Sequence, residues 1–381
     1  MTKIEQKIPE GWSVRKIIDV CPLQRGFDLP EQNIKSGNYP IVYSNGIKGT
    51  HNEYKATAPG VVTGRSGTIG KVTYVEQNYW PHNTSLWVTD FKGNNPKFIF
   101  YKLQNLNYAK FNSGSGVPTL NRNDVHIEKI LLPPLAEQEK IAEILSCWDD
   151  EIEKLSALIE KKKIQKKALM QQLLTGKHRL KDFSTPWHEV KLKDILYEHK
   201  ETSKGDETIC SVSVHKGIIS QIEHLGRSFA ASNTSNYNLV HYGDVVYTKS
   251  PTGEFPYGIF KQSQQRKSVI VSPLYGVFTP KTYYLGYILD VFFSYAINLN
   301  NYLKPIIQKG AKNTINITNE TFLSKAIFLP EETTEIQKLA EIFIKADEEI
   351  NLLNQKLEAL KEQKKGLMQQ LLTGKIRVKV N

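Results

Sequence analysis

Cysteine and histidine are scarce in this 381-residue chain, and their placement excludes several kinds of chemistry. Cys21, Cys147 and Cys210 stand far apart without a Cys-x-x-Cys spacing, and an odd count suits a reducing compartment better than a disulfide framework. All three are expected to be structural thiols. The nine histidines include no HExxH and no other metal-ligand spacing. Long apolar runs are absent too: none reaches 18 residues, and the opening "MTKIEQKIPEGW" lacks the apolar core of a signal peptide. The expected location is therefore the cytoplasm, with no membrane partner. A phosphate-binding loop is also missing, because "LLTGKH" and "LLTGKI" lack the upstream glycine and the Ser/Thr after the lysine. No NPPY-type or DPPY-type quartet for adenine methylation occurs; "LPPL" at Leu132–Leu135 has no acid or amide before its prolines. The glycines of "TGRSGTIG" precede no long helix, as a cofactor-binding turn would require. The expectation is a chain with no catalytic residues, no metal and no cofactor of its own.

What is present is charge and repetition. With 50 Lys and Arg against 39 Asp and Glu, the net charge of +11 favours a polyanionic partner, since each neutralised phosphate releases counterions. Many basic proteins nevertheless bind no nucleic acid. The length allows two or three domains, each with its own core.

The nonapeptide "LMQQLLTGK" occurs at Leu169–Lys177 and again, letter for letter, at Leu367–Lys375, a shift of 198 positions. Upstream of the first copy, Ile141, Leu145, Trp148, Ile152, Leu155, Ile159, Leu169 and Leu173 follow in steps of three and four, interrupted by Lys162 and Lys166. The second stretch places Leu339, Phe343, Ala346, Ile350, Leu353, Leu357, Leu360, Leu367 and Leu371 alike, interrupted by Lys364. Such spacing is a coiled-coil seam, and each helix is expected to run roughly 60 Å at about 1.5 Å per residue. Prolines open them (Pro133, Pro134 and Pro330), and Gly176 and Gly374 close them. Each helix is acidic early (Asp149, Glu151; Asp347, Glu348) and basic late (Lys162, Lys166; Lys361, Lys364). A parallel pair would juxtapose like charges, so the helices are expected to pair antiparallel. Macrodipole preference alone explains only the terminal turns.

The stretch before each helix is a diverged copy of the other. "GWSVRKIIDV" with Trp12 faces "PWHEVKLKDIL" with Trp187, and "PGVVTGRSGTIGKVTYV" faces "GDVVYTKSPTGEFPYGIF". Both are dense in Val, Ile, Tyr and Phe between Gly, Asn and Pro turns, which indicates short strands. The expected fold is α+β: two β-rich globules in tandem, each followed by a long helix, the helices forming an antiparallel coiled coil. The expected domains are 1–134, the helix 135–177, a second globule 178–330 and a C-terminal helix 331–381. Such a duplication suits two separated DNA segments, each read by one globule.

The runs "LLPPLAEQEKIAEIL" and "GRSGTIG", the "GWSVRKIIDV" opening and the repeated "LLTGK" resemble the specificity subunits of type I restriction-modification enzymes, over nearly the whole length. The resemblance implies a non-catalytic subunit whose globules are target recognition domains, each reading one half of an asymmetric bipartite site in double-stranded DNA. It implies helices that set the spacer and dock two modification subunits, on which S-adenosylmethinonine-dependent adenine methylation resides. Restriction subunits can join such complexes.

Candidate DNA contacts in the first globule are Arg65, Ser66 and Lys71 in the glycine loop, where close backbone approach is possible. His82, Asn83 and Thr84 in "PHNTS", with Asn121 and Arg122 in "TLNRND", offer groups able to read base edges. A tight turn with exposed basic residues is the plainer reading of the loop, and Asn and Thr are also turn formers. In the second globule the corresponding candidates are Lys249, Ser250, Lys261, Asn313 and Asn316, although Pro251 replaces a glycine there. Leu158, Leu174 and Leu372 exceed what one seam requires and are candidate docking residues, or else widen the local core. Trp148 and Phe343 read as core, and the lysine run at 161–167 as a partner for acids on the other helix. A coiled-coil scaffold with protein-binding globules is the alternative function.

Overall fold

The computed structural model describes residues 8–111, 116–227, 233–309 and 315–380. The chain forms two compact units, one of residues 1–157 with 354–381 and the other of residues 158–353. Each long helix, Leu135–Leu173 and Thr333–Leu371, therefore contributes to both.

In the first unit the strand Ser13–Lys16 pairs antiparallel with Lys129–Leu132, tying the entry of the globule to its exit. Between them lies a four-stranded antiparallel sheet in the order Leu23–Arg25, Ser85–Val88, Gly60–Gly64, Val72–Val75. Gly60–Gly64 is buried throughout, as a central strand of β-branched residues should be. A smaller sheet joins Gly46–His51 antiparallel to Tyr39–Tyr43, which runs parallel to Trp80–Pro81. The helix Pro96–Gln104 starts where the Asn95 side chain accepts from the Phe98 N–H, with proline in the first turn, and it buries Phe98, Ile99, Tyr101 and Leu103.

That core is completed by helix residues from both repeats. Ile141, Ala142 and Leu145 of the first long helix meet Leu371 and Leu372 at the end of the second within one apolar cluster. The segments run antiparallel, because Glu137 pairs with Arg377 while Asp149 pairs with Lys364. The indole Nε1 of Trp12 donates to Glu137 at 3.2 Å, and Arg377 Nε to the same carboxylate at 2.8 Å. Asp149 also accepts from Tyr101 at 2.6 Å.

The second unit repeats this plan. His188–Lys191 pairs antiparallel with Ala326–Leu329, and a four-stranded sheet has the order Leu196–Glu198, Gly276–Pro280, Val245–Tyr247, Phe260–Gln262. Its other sheet also contains a hairpin and a parallel pair, Thr208–Ser213 with Gly217–Ser220 and with Val269–Val271, and adds Asn238–Val240 as an extra strand. The helix pair is again antiparallel: Lys162 meets Glu349 at 2.6 Å, Lys166 meets Asp347 at 2.6 Å, and Arg179 meets Glu335 at 2.7 Å. Trp187 Nε1 donates to Glu335 at 3.3 Å, and Tyr287 donates to Asp347. Under the 198-position shift, Asp149 and Lys364 become Asp347 and Lys166, so the same contacts occur in both units with the repeats exchanged.

The lysines that interrupt the seams are thus matched by acids on the facing helix. This agrees with the expected antiparallel pairing and with the expected role of the lysine run, although Lys163 bonds Glu160 of its own helix. Gly176 and Gly374 adopt φ of +71° and +70°, the left-handed conformation expected of helix-terminating glycines. Gly374 has a second constraint, since a Cβ there would lie 2.5 Å from Pro9 Cγ. Phe343 is fully buried, as expected of a core residue, whereas Trp148 is only half-buried.

One expectation is corrected. Leu174 and Leu372 do not lie on an outward docking face: they are 6% and 0% exposed, each in the core of its own unit. Each follows directly on the last residue of its long helix and packs into the core of a globule. Leu158 does remain exposed, with Ile164 and Leu352 on the same helices. Among the described residues no helix is long and apolar enough to cross a membrane.

Candidate nucleic-acid interface

Four segments of the first unit converge at one edge of its sheets. The loop after Gly60–Gly64 is held by backbone bonds from Arg65 and Ser66 N–H to Thr84 O (2.8 and 3.1 Å), from Gly67 N–H to Pro118 O, and from Leu120 N–H to Arg65 O. Ser66 bridges to Thr119, which brings "TLNRND" beside the loop. The turn 82–85 is tied to the smaller sheet by His82 N–H on Val42 O, and Ser44 N–H donates to Thr84 Oγ1. Sequence-distant candidates Arg65, Ser66, Asn83, Thr84 and Asn121 are thereby gathered on one surface.

Gly64 is what permits this packing. A Cβ at that position would lie 1.7 Å from Thr68 O and 2.8 Å from Ser44 O, so no other residue fits without moving the loop. The side chains are then disposed unequally. Arg65 is half-buried and donates from Nη1 to Asn83 O at 3.3 Å, leaving other guanidinium donors available. Lys71 is exposed with its ammonium 2.6 Å from Asn45 O, and two further N–H donors remain for a phosphate. Asn121 caps the short helix Arg122–His126 through its oxygen, and both Asn121 and Arg122 are exposed.

His82 is a correction. Its Nδ1 accepts from Thr84 N–H at 3.3 Å and lies 3.0 Å from Thr84 Oγ1, while the ring also bonds the Leu29 backbone. Burial, the largest influence, lowers its pKa below the ordinary 6.5, against the Leu29 hydrogen bond and the nearby Asp28 charge. It holds the turn instead of reading a base. The structure also brings in residues that no motif flagged: Arg25 and Asp28 from "RGFD", and Tyr43, whose ring lies 4.2 Å from His82. The pairing of Leu23–Arg25 with Ser85–Val88 places Arg25 and Asp28 there, and the smaller sheet places Tyr43.

In the second unit the loop between Val245–Tyr247 and Phe260–Gln262 carries Lys249 at φ +57° and Ser250, which is exposed. Gly258 packs against it so closely that a Cβ would lie 2.8 Å from Lys249 N. Burial lowers the Lys249 pKa, against the attraction of Glu198. Lys261 is a second correction: its ammonium pairs with Asp290 at 3.0 Å and its side chain is 12% exposed, so it is neutralised within the fold. Asn313 lies outside the described residues, and Asn316 belongs to a short strand paired with Gln308–Lys309. Among the described residues no group of three His, Cys, Asp or Glu side chains is placed to hold a metal.

A buried carboxylate organises the back of this unit. Asp244 accepts from His241 N–H and Thr279 Oγ1, both at 2.7 Å, and meets His199 Nε2 at 3.0 Å. The Asp244 hydrogen bond raises the His199 pKa above its ordinary 6.5 despite burial, with Glu201 and Glu198 adding to it. A raised folded-state pKa gives stability that is complete below the unfolded value and is lost as pH rises through the folded one. The second unit should therefore lose stability as pH rises above 6.5, and His199→Gln should flatten that dependence; unit-resolved hydrogen exchange measures both.

The family described as the type I restriction modification DNA specificity domain matches residues 9–166. The type I restriction enzyme MjaVIII specificity subunit of Methanocaldococcus jannaschii is 26% identical over 307 residues, covering 74% of this chain and 70% of that protein. A second protein of that organism, carrying the MjaX specificity-subunit name, is 25% identical over 421 aligned positions, covering 98% of this chain and 95% of its own. The chain is thus similar to type I specificity subunits, with the DNA specificity domain matched over residues 9–166. The fold agrees: the crystal structure of a type I S subunit from M. genitalium aligns over 97% of this chain and 98% of its own at a TM-score of 0.61 and 15% identity. A chain from a study of assembly and conformational transition in a type I restriction-modification system aligns over 97% of this chain and all of its own at 0.54 and 15%. In this chain the four-segment edge of the first globule and the Lys249 loop of the second follow equivalent strands of matching sheets.

Proposed function

We propose that the chain is the DNA-reading, non-catalytic subunit of a type I restriction-modification complex, each globule reading one half of an asymmetric bipartite target. The observation that carries this reading is the convergence of Arg65, Lys71, Asn83, Thr84 and Asn121 on one edge of a sheet scaffold that the chain builds twice. Cations position phosphates and amides read base edges, while duplicated scaffolds with different loops suit two unlike half-sites. The long helices set the spacer and dock two modification subunits, which supply S-adenosylmethionine and the methyl transfer; restriction subunits complete a cleaving complex. The exposed apolar side chains Leu158, Ile164 and Leu352 offer helix surface for that docking.

Salt dependence tests the reading. Affinity for target DNA should fall linearly on logarithmic axes with added salt, by about 0.9 per neutralised phosphate, and scrambling either half-site should weaken binding. Binding that ignores both salt and sequence would support a protein scaffold instead. Methylation by the purified chain with S-adenosylmethionine alone would contradict its non-catalytic role.

A further inference from the structure

We propose that Asp28 reads a base, accepting a hydrogen bond from the exocyclic amine of a cytosine in the half-site of the first globule. This deepens the function proposed above and rests on it. Asp28 lies on the edge where Arg65, Asn83 and Thr84 meet, and its side chain is 65% exposed. Its placement is fixed by the backbone: Gly26 N–H bonds Ser85 O at 3.1 Å and Phe27 N–H bonds Pro81 O at 2.8 Å. A Cβ on Gly26 would lie 2.2 Å from His82 O, and the Phe27 ring packs 6.3 Å from Trp80 and 6.4 Å from Trp87.

The carboxylate itself is aimed from both sides. Arg25 Nη2 donates to Oδ1 at 2.9 Å, and the Asn83 amide donates to the same oxygen. Among the described residues Oδ2 has no hydrogen-bond partner, so one acceptor is left open on a loop held by its backbone contacts. A carboxylate on a surface that meets phosphates costs affinity through like-charge repulsion, unless it meets a donor. In the major groove the unpaired donors are the amines on cytosine C4 and adenine C6, and carboxylates characteristically accept from cytosine. Arg25 then screens Asp28 from the backbone while its remaining donors stay available to phosphate or guanine.

The test is the sequence of methylated sites produced by the full complex carrying Asp28→Ala or Asp28→Asn. Discrimination at one position of the first half-site should fall about 5- to 150-fold, with cytosine preferred in the parent, while the second half-site is read unchanged and serves as the folding control. Asp28→Asn preserves shape, so the same position must respond where Asp28→Ala disturbs the loop. A motif unchanged in both variants, or affinity that rises equally for all sequences, would overturn the assignment, as would adenine at the responding position. If the parent complex shows no bipartite motif, the proposed function itself fails, which is a different result.

Discussion

A chain shortened to end at residue 366 should lose the folded state of its first unit while the second melts as before. The deletion removes Leu371 and Leu372, 3% and 0% exposed in the first core, and the Leu372 carbonyl that accepts from the buried Lys102 ammonium at 2.6 Å. It also removes Arg377, the partner of the nearly buried Glu137, and the turn at Gly374 that packs beside Trp12. Emptying each leucine site alone costs about 2–5 kcal/mol. Two such losses approach the roughly 5–15 kcal/mol by which a domain is stable at all, before the stranded carboxylate is considered. Even Leu372→Ala should lower the first unit alone, and Leu174→Ala the second alone. Hydrogen exchange read peptide by peptide separates the units; equal loss of protection in both would contradict the assignment of each helix end to one core.

The second large effect is on recognition. Gly64→Val places side-chain atoms where Thr68 O and Ser44 O already stand, which displaces the loop bearing Arg65 and Ser66 and uncouples it from Thr84 and Leu120. Each lost base pair of readout is worth about 1–3 kcal/mol, so several together should reduce preference for the first half-site by at least about a hundredfold. Preference for the second half-site should stay. Competition binding with DNAs scrambled in one half or the other reports both numbers. Gly258→Val, which crowds Lys249, should produce the converse pattern.

How far the sequence led depends on the range of the interaction concerned. The helices, their antiparallel polarity and their closing glycines were legible because periodicity, charge order and left-handed caps are local signals. The duplicate strand plan was legible from aligned Val-rich runs flanking "GRSG" and "TKSP". The exchange of helix ends was not: nothing in "LMQQLLTGK" says that the copy at 367–375 completes the globule of Trp12 and the copy at 169–177 that of Trp187. For the same reason Leu174 and Leu372 read as outward-facing, since helical geometry cannot foresee a globule folding over the last turn. Within the candidate interface, the glycine loop declared itself by composition, whereas Asp28 joins Asn83 only through a strand pairing across 55 positions. Lys261 read as a free cation because Asp290, its partner, sits on a helix 29 positions away.

The most direct test of the central claim is sequencing of methylated adenines in DNA from cells expressing this chain with its modification partner, before and after exchanging residues 1–134 for the equivalent globule of a type I specificity subunit. A two-part motif in which only one half changes with the exchange is the expected result. A motif untouched by the exchange, or one altered in both halves, would contradict the claim that each globule reads its own segment of DNA.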